Sequence, residues 1–529
     1  MITDLRTLPV HSILETDLCV IGAGAAGIAI ARDLSGSGFR VVLAESGGFN
    51  LDPAVQSLYK GESTGEPYAA DLDACRSRYF GGSTNCWGGM CLPLSEWDFR
   101  ERKWVSYSGW PIHYQELEAY LVRAHQLCDN GPYMYGKEVL NSLPFKELAF
   151  DPDLLDVHFW HMNRYWRRSQ IRFADKFGRE LRASRNVTVL LNANVTRIAT
   201  HESGRWVEQV EAKTLEGKTV LIRARWFVLA CGGIENARLL LASNETNQRG
   251  LGNDYDLVGR FFMEHPHVAC GSVSIEPEQN SISSYARLWR LGKSRCRPGL
   301  SLSPAAQEQN QTLSASLSID PTFDPEGAWV LWQKLRERVA TRDAACLSPR
   351  AVVKALSRSR EMAGHVYHRA ISGSWPEGDS GRFVLYARAE QSPNPCSRIT
   401  LSDDRDSLGM RRVCLDWRIA DIDRKTLLLI SAIARAEFAR LGLGRVTQAD
   451  WITEGAWPPR IDVGPHHMGT TRMSASPRDG VVDRNAKLHS VANLYVAGSS
   501  IFPTGGHANP TLTLLATSLR LADHLRSLQ

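Results

Sequence analysis

The residues best suited to proton chemistry lie near the C-terminus. His466-His467-Met468-Gly469-Thr470-Thr471-Arg472-Met473 is followed by Gly498-Ser499-Ser500 and then by Gly505-Gly506-His507-Ala508-Asn509-Pro510-Thr511. A neutral imidazole is the natural base near neutral pH. A carboxamide such as Asn509 can donate to an oxygen that gains negative charge. His466 and Asn509 are the leading candidates for such a pair. His467 is the neighbour of His466 and must point elsewhere. His507 ranks below His466, as a substrate contact, a second base candidate or a satisfied structural histidine. His113, His158, His265 and His267 have no base-like context in the sequence.

The other end of the chain has the pattern of a dinucleotide site. Asp17 to Ile21 reads as a buried strand, Gly22-Ala23-Gly24-Ala25-Ala26-Gly27 as a turn, and Ile28 to Leu34 as a helix stopped by Gly36 and Gly38. Phe39 to Glu45 reads as a second strand ending in an acid. In such a βαβ unit the glycines let backbone amides approach a pyrophosphate at a helix N-terminus, and the acid binds ribose hydroxyls. The acid would repel an NADP phosphate, but it does not separate FAD from NAD. Between Arg78 and Gly89, paired glycines and Ser83, Thr84 and Asn85 suit a ligand loop. On residue types alone, a glycine loop packed by Phe80 and Trp87 fits equally well.

These residues need a scaffold, and the pattern supplies two kinds. Gln115 to Asp129 reads as an amphipathic helix, and Val187 to Leu191 and Val195 to Ile198 as strands. Val207 to Ile222 reads as a hairpin turning near Gly217. Arg225 to Gly233 repeats the strand–glycine design, with Glu235 to Ser243 as its helix. From about Arg260 to Leu441 short alternating strands dominate, such as Arg382 to Ala387 and Val413 to Trp417. An Arg-rich helical pattern, Trp332 to Arg369, interrupts them, and Lys425 to Leu441 is a clear amphipathic helix. Asn493 to Gly498 and Thr511 to Leu525 then supply a last strand and helix. The expected division is 1–259 for a cofactor-binding domain, 260–441 for a substrate domain and 442–529 for a return to the first.

Bulk composition narrows the class. The net charge of +5 over 529 residues, with no matching motif, argues against a nucleic-acid partner. Eleven scattered cysteines without a CxxC pair suggest neither a disulfide framework nor a metal site, and fit reduced thiols in a cytoplasmic protein. No secretory signal and no bilayer-length apolar run is seen.

Taken in order, these marks resemble the glucose–methanol–choline (GMC) flavoenzymes. They are the glycine turn with Glu45, the Gly82-Ser83 loop before Trp87, and Gly232-Gly233 with Glu235, Asn236 and Arg238. Val258-Gly259-Arg260, His265-Pro266, the His466 segment and Asn509-Pro510-Thr511 complete the set. Asn85-Cys86-Trp87 and Asn509-Pro510-Thr511 look closest to the pyranose-oxidase-like and bacterial sugar or polyol dehydrogenase branch. The resemblance implies an α/β Rossmann-like FAD-binding domain joined to an antiparallel-sheet substrate domain, as in p-hydroxybenzoate-hydroxylase-like architectures. It implies FAD contacts from Gly22, Gly24, Ala26, Gly27, Glu45, Ser46, Arg78, Gly82, Ser83, Asn85, Cys86, Val195, Ala230, Gly232, Gly498, Ser499, Asn509, Pro510 and Thr511. Relatives of that branch carry a flavin-linked histidine where this chain has Cys86. Non-covalent FAD is therefore expected, with a cysteinyl link as the alternative.

The resemblance implies oxidation of an alcohol of a sugar, amino sugar or polyol to an aldehyde or ketone, with hydride passing to flavin N5, His466 at the family's catalytic histidine as base, and Asn509 at its partner position bonding the substrate oxygen. Oxygen or another carrier would take the electrons. Three alternatives stay open: a lyase using FAD structurally, a subunit of a membrane-linked dehydrogenase complex docking through the Arg-rich stretch, and a plain NAD-dependent dehydrogenase. An assembly of identical chains is compatible with all of them.

Overall fold

Leu18, Cys19, Val20 and Ile21 are all buried, with no alternation. That is the signature of a parallel strand covered on both faces. In the computed structural model they end the strand Ile13–Ile21, and the helix Ala25–Asp33 follows at once. All residues are described except 69, 164–170, 275–281, 293, 324–329, 331–356, 358–359, 361–362, 365–381 and 458–460. The Arg-rich Trp332 to Arg369 pattern falls almost wholly outside the described residues.

The first sheet has the order Ile2–Asp4, Val187–Leu191, Val41–Ala44, Ile13–Ile21, Thr219–Leu229, Val207–Lys213 and Asn194–Thr200, with Leu494–Val496 also parallel to Thr219–Leu229. Its first five strands run parallel, and the hairpin expected near Gly217 adds the antiparallel edge. The final helix, Pro510–Ser527, packs against Ala25–Asp33 and Gln115–Leu127. It is buried along Leu512, Leu515, Ala516, Leu519 and Ala522.

The second sheet is antiparallel throughout. Its order is Arg445–Gln448, Pro266–Ser274, Arg382–Ala389, Ala315–Pro321, Ser294–Leu302, Leu155–Met162 and Met90–Cys91. The helix Asp421–Arg440 covers it through Leu427, Ile430, Ala434 and Phe438, a spacing that aligns one helical face. The sheets cut across the 1–259, 260–441 and 442–529 division. Met90–Cys91 and Leu155–Met162 come from inside the first 259 residues, and Arg445–Gln448 from beyond 441, because each completes the hydrogen bonding of this sheet. Two apolar cores result, one under each large sheet. A small third sheet, Arg398–Arg405, Arg411–Trp417 and Gly61–Gly65, joins chain from both halves.

The register of the second sheet sets up the chemistry. His267 on Pro266–Ser274 faces Arg388 on Arg382–Ala389, which in turn faces Ser316 on Ala315–Pro321. Directly opposed residues share a sheet face.

At the glycine turn the backbone is too close for side chains. A Cβ on Gly27 would stand 1.9 Å from the Gly22 carbonyl oxygen, and one on Gly82 2.7 Å from the Gly24 Cα. Gly27→Ala must therefore move backbone, and overpacking of this kind destabilises by about 1–3 kcal/mol. A lower melting temperature and a reduced flavin-to-protein ratio after purification are expected. Wild-type values for both would contradict this account of the turn.

Candidate active site

A cavity of about 470 Å³ runs between the two sheets, within the range of natural ligand sites. One end is lined by Gly22, Gly24, Ala26, Glu45, Ser46, Val195, Ala230 and Gly232. Arg78, Gly82, Ser83 and Cys86 line its middle. His466, Asn509, Pro510, Thr511, Gly498 and Ser499 line the other end. Three residues in the sequence-derived set do not line it. Gly27 lies behind the turn, packed on the Gly22 carbonyl. Asn85 donates from Nδ2 to the Phe80 carbonyl at 3.0 Å and braces its own loop. The Nδ1 of His507 bonds to the Ser314 hydroxyl at 2.6 Å.

The cofactor end fits a dinucleotide. Glu45 accepts from the Ala23 and Gly47 amides at 2.9 and 3.1 Å, one on each carboxylate oxygen, leaving a lone pair on each. Burial pushes its pKa upward. Arg78 is buried and its Nε has no partner in the protein. The Glu235 carboxylate holds Arg76, Arg78 and Arg238 at 3.0, 3.2 and 3.3 Å. Despite burial, these cations hold Glu235 down to about 2. Asn236 accepts from the Cys231 amide at 2.8 Å and donates to Ser500 Oγ at 2.9 Å, tying the second glycine turn to the C-terminal segment. An orphaned buried guanidinium and an acid with spare lone pairs beside an open glycine turn are the groups that FAD requires.

At the opposite end the hydrogen bonds decide where protons sit. The Gly506 carbonyl can only accept, so His265 Nε2, 2.8 Å away, carries a hydrogen. Burial holds His265 down to about 3, so it is neutral and its Nδ1 is an acceptor. His466 Nδ1, 2.8 Å from that atom, is therefore the donor. Burial also holds His466 well below the usual imidazole range. Its one hydrogen is on Nδ1, and Nε2 presents a lone pair. Arg388 acts from the other side. A guanidinium can only donate, so its NH1, 2.9 Å from Asn509 Oδ1, fixes the amide orientation. The Asn509 Nδ2 then faces His466 Nε2 at 3.2 Å. Asn509 caps the helix Pro510–Ser527 with no side-chain cap bond, so its amide is free for the cleft. Pro510 removes a helix N–H that would otherwise need a partner.

The backbone of His466 is held as firmly. Its amide donates to Glu264 Oε2 at 2.8 Å, and the two chains bridge through Met263 and Met468. Glu264 Oε1 accepts from Tyr68 at 2.6 Å, and that hydroxyl meets His467 Nε2 at 2.9 Å. His467 thus points away from His466, as adjacency requires. No Arg or Lys pairs with Glu264 among the described residues, and burial pushes it up to about 7.

Sequence reasoning passed over His265, His267, Glu264 and Arg388. Glu264-His265-Pro266-His267 was visible as a histidine cluster beside a strand, but the contact with His466 is made only by folding. Arg388 carries no sequence signal. A polar cluster adjoins Arg388. The ring nitrogens of His158, Nε2 of His507, Nε1 of Trp160 and Oγ of Ser316 are buried without partners. His158 lies 4.3 Å from Trp160 and 5.1 Å from His507, between ring centroids.

Comparison with known proteins agrees with this geometry. The family model described as GMC oxidoreductase matches residues 393–518, the segment that carries His466 and Asn509. Among characterised proteins, the fructose dehydrogenase large subunit of Gluconobacter japonicus is 30% identical over 302 residues, 57% of this chain. The chain spans only 47% of that relative's length. The 2-methyl-1,2-propanediol dehydrogenase of Mycolicibacterium austroafricanum is 24% identical over 97% of this chain and 95% of its own. The crystal structure of pyridoxine 4-oxidase from Mesorbium loti shares the fold, with a TM-score of 0.54 at 19% identity over 96% of this chain and 98% of that one. A matching C-terminal segment, end-to-end likeness to a curated dehydrogenase and a shared fold point the same way: residues 393–518 match the GMC oxidoreductase family, and the cleft they help to close has the form of an FAD site.

Proposed function

We propose that this protein oxidises a CH–OH group of a sugar, amino sugar or polyol to an aldehyde or ketone, with His466 as base. The observation that carries the reading is the fixed lone pair on His466 Nε2, 3.2 Å from the Asn509 amide, in the cleft lined by the glycine turn. Bound FAD supplies the acceptor for the hydride. The chain supplies the proton chemistry. His466 Nε2 takes the hydroxyl proton as the carbon gives up hydride, so the alcohol loses two electrons and both hydrogens. Asn509 Nδ2 has a second hydrogen for the substrate oxygen as charge develops there. Arg388 and His265 prevent the amide from flipping and the imidazole from changing tautomer. The similarity to a sugar dehydrogenase and a diol dehydrogenase supports that class. Electron transfer to oxygen or to a carrier protein completes the cycle in this reading.

His466→Ala should retain flavin but slow its anaerobic bleaching by alcohols roughly 10²–10⁴-fold, the usual weight of general base catalysis. Bleaching at the wild-type rate would remove His466 from the role.

The buried imidazoles set a pH dependence. His158, His265, His267, His466, His467 and His507 are all lowered by burial. In the unfolded chain each protonates near pH 6.5. Below that value the unfolded state binds more protons, so stability falls as pH falls. Glu264, raised to about 7, acts in the opposite sense and gains stability as pH drops from about 7 toward the ordinary carboxyl value. Asp423, also raised to about 7, and Asp98, raised to about 6, act with Glu264, but the six imidazoles, joined by His125 and His161, outnumber these three carboxyls. Thermal unfolding should therefore show a melting temperature that decreases from pH 6.5 to 5, and a flat or rising profile there would contradict neutral burial.

A further inference from the structure

One charge in the cleft lacks a partner of opposite sign. Arg388 is half-buried on the face of Arg382–Ala389 opposite the core-packed Phe383, Leu385, Ala387 and Ala389, and it lines the cavity with His466 and Asn509. Its Nε donates to His267 Nε2 at 2.6 Å and its NH1 to Asn509 Oδ1 at 2.9 Å. Both acceptors are neutral. The guanidinium carbon sits 5.6 Å from the Trp160 ring centroid. Among the described residues, no carboxylate forms an ion pair with it.

The nearby acids are engaged elsewhere. Asp320 pairs with Arg297. Glu264 accepts from Tyr68 and from the His466 and His265 amides. Glu390 forms a two-point pair with Arg102 at 2.8 and 2.6 Å. The imidazoles of His158, His265, His267, His466, His467 and His507 are neutral. Arg388 itself is held down only to about 10 by burial, so it stays charged at neutral pH. Among the described residues, the positive charge of Arg388 in this pocket is therefore met by no ion pair.

A buried unpaired cation is strongly unfavourable unless something answers it. NH2 makes no bond to a described residue, and Arg388 lines the cavity. A planar pair of nitrogens is suited to the two oxygens of a carboxylate.

We propose that the alcohol oxidised here carries a carboxylate that Arg388 grips, so that the preferred substrate is a polyhydroxy acid. The inference rests on the alcohol-oxidising reading above and narrows it. It also sets this chain against protonated amino sugars, which would bring a like charge to Arg388.

The test uses the FAD-loaded enzyme and three compounds of one carbon skeleton: D-glucitol, D-gluconate and 1-amino-1-deoxy-D-glucitol. Anaerobic flavin bleaching should give kcat/KM at least about tenfold higher for gluconate than for glucitol, with the amine slowest. Arg388→Gln should erase the gluconate-to-glucitol ratio, and Arg388→Lys should restore part of it. Equal rates for the acid and the polyol in the wild type would overturn the proposal. So would an Arg388→Gln variant that slows both alike and leaves their ratio unchanged, since Arg388 would then serve only to orient Asn509. A titration with propionate, which has no alcohol to oxidise, gives an independent readout. It should perturb the flavin spectrum of the wild type and not of Arg388→Gln. If no alcohol bleaches the flavin, the alcohol-oxidising reading fails, while the propionate titration still decides whether Arg388 binds carboxylate: no perturbation overturns the proposal.

Discussion

A neutral imidazole has one hydrogen and two nitrogens, and catalysis depends on which nitrogen holds it. In this protein the choice at His466 is made at a distance by two groups that cannot reverse their roles. The Gly506 carbonyl can only accept, and the Arg388 guanidinium can only donate. Between them, His265, His466 and Asn509 form a chain in which every donor and acceptor is determined. Much of the scaffold keeps those two ends in place. The strand register sets Arg388 opposite His267. The bridge between Met263 and Met468 brings the two histidine segments together.

Two buried glutamates show how differently the same side chain is used. Glu235 is surrounded by three arginines and remains ionised, so it acts as an anchor for cations at the cofactor end. Glu264 has no such cations and is met by a phenol and two backbone amides. Its burial without a full counter-charge explains its raised pKa. The first fixes charge, while the second fixes backbone.

Local pattern made the cofactor end legible in the sequence. Strand, glycine turn, helix and Glu45 are contiguous, and all but Gly27 and Asn85 of the residues assigned there line the cavity. His466 and Asn509 were readable for the same reason, because each sits in a short segment with marked neighbours. The second sheet was recognisable as antiparallel from its alternation. Its membership was not, because Met90–Cys91 and Leu155–Met162 join it only through long-range pairing. The same limit hid Arg388 and His265. Alternation in Arg382–Ala389 says that Arg388 differs in facing from its neighbours, but not that the face it shares belongs to a cleft. The orientation of His507 toward Ser314 likewise depends on a contact between segments far apart in the chain.

The cleft is closed by the two most distant parts of the chain. The glycine turn that begins the first sheet meets Asn509, Pro510 and Thr511 across the same cavity, and the helix Pro510–Ser527 packs on the helix that follows that turn. The strand Leu494–Val496 reaches its sheet only beside Thr219–Leu229. During synthesis, the nucleotide end can take shape long before its other wall exists. Until that wall is made, intermediates of a chain this large expose apolar surface. Flavin capture is thus tied to the completion of this region of chain, because Asn509, Pro510 and Thr511 form part of the cavity wall.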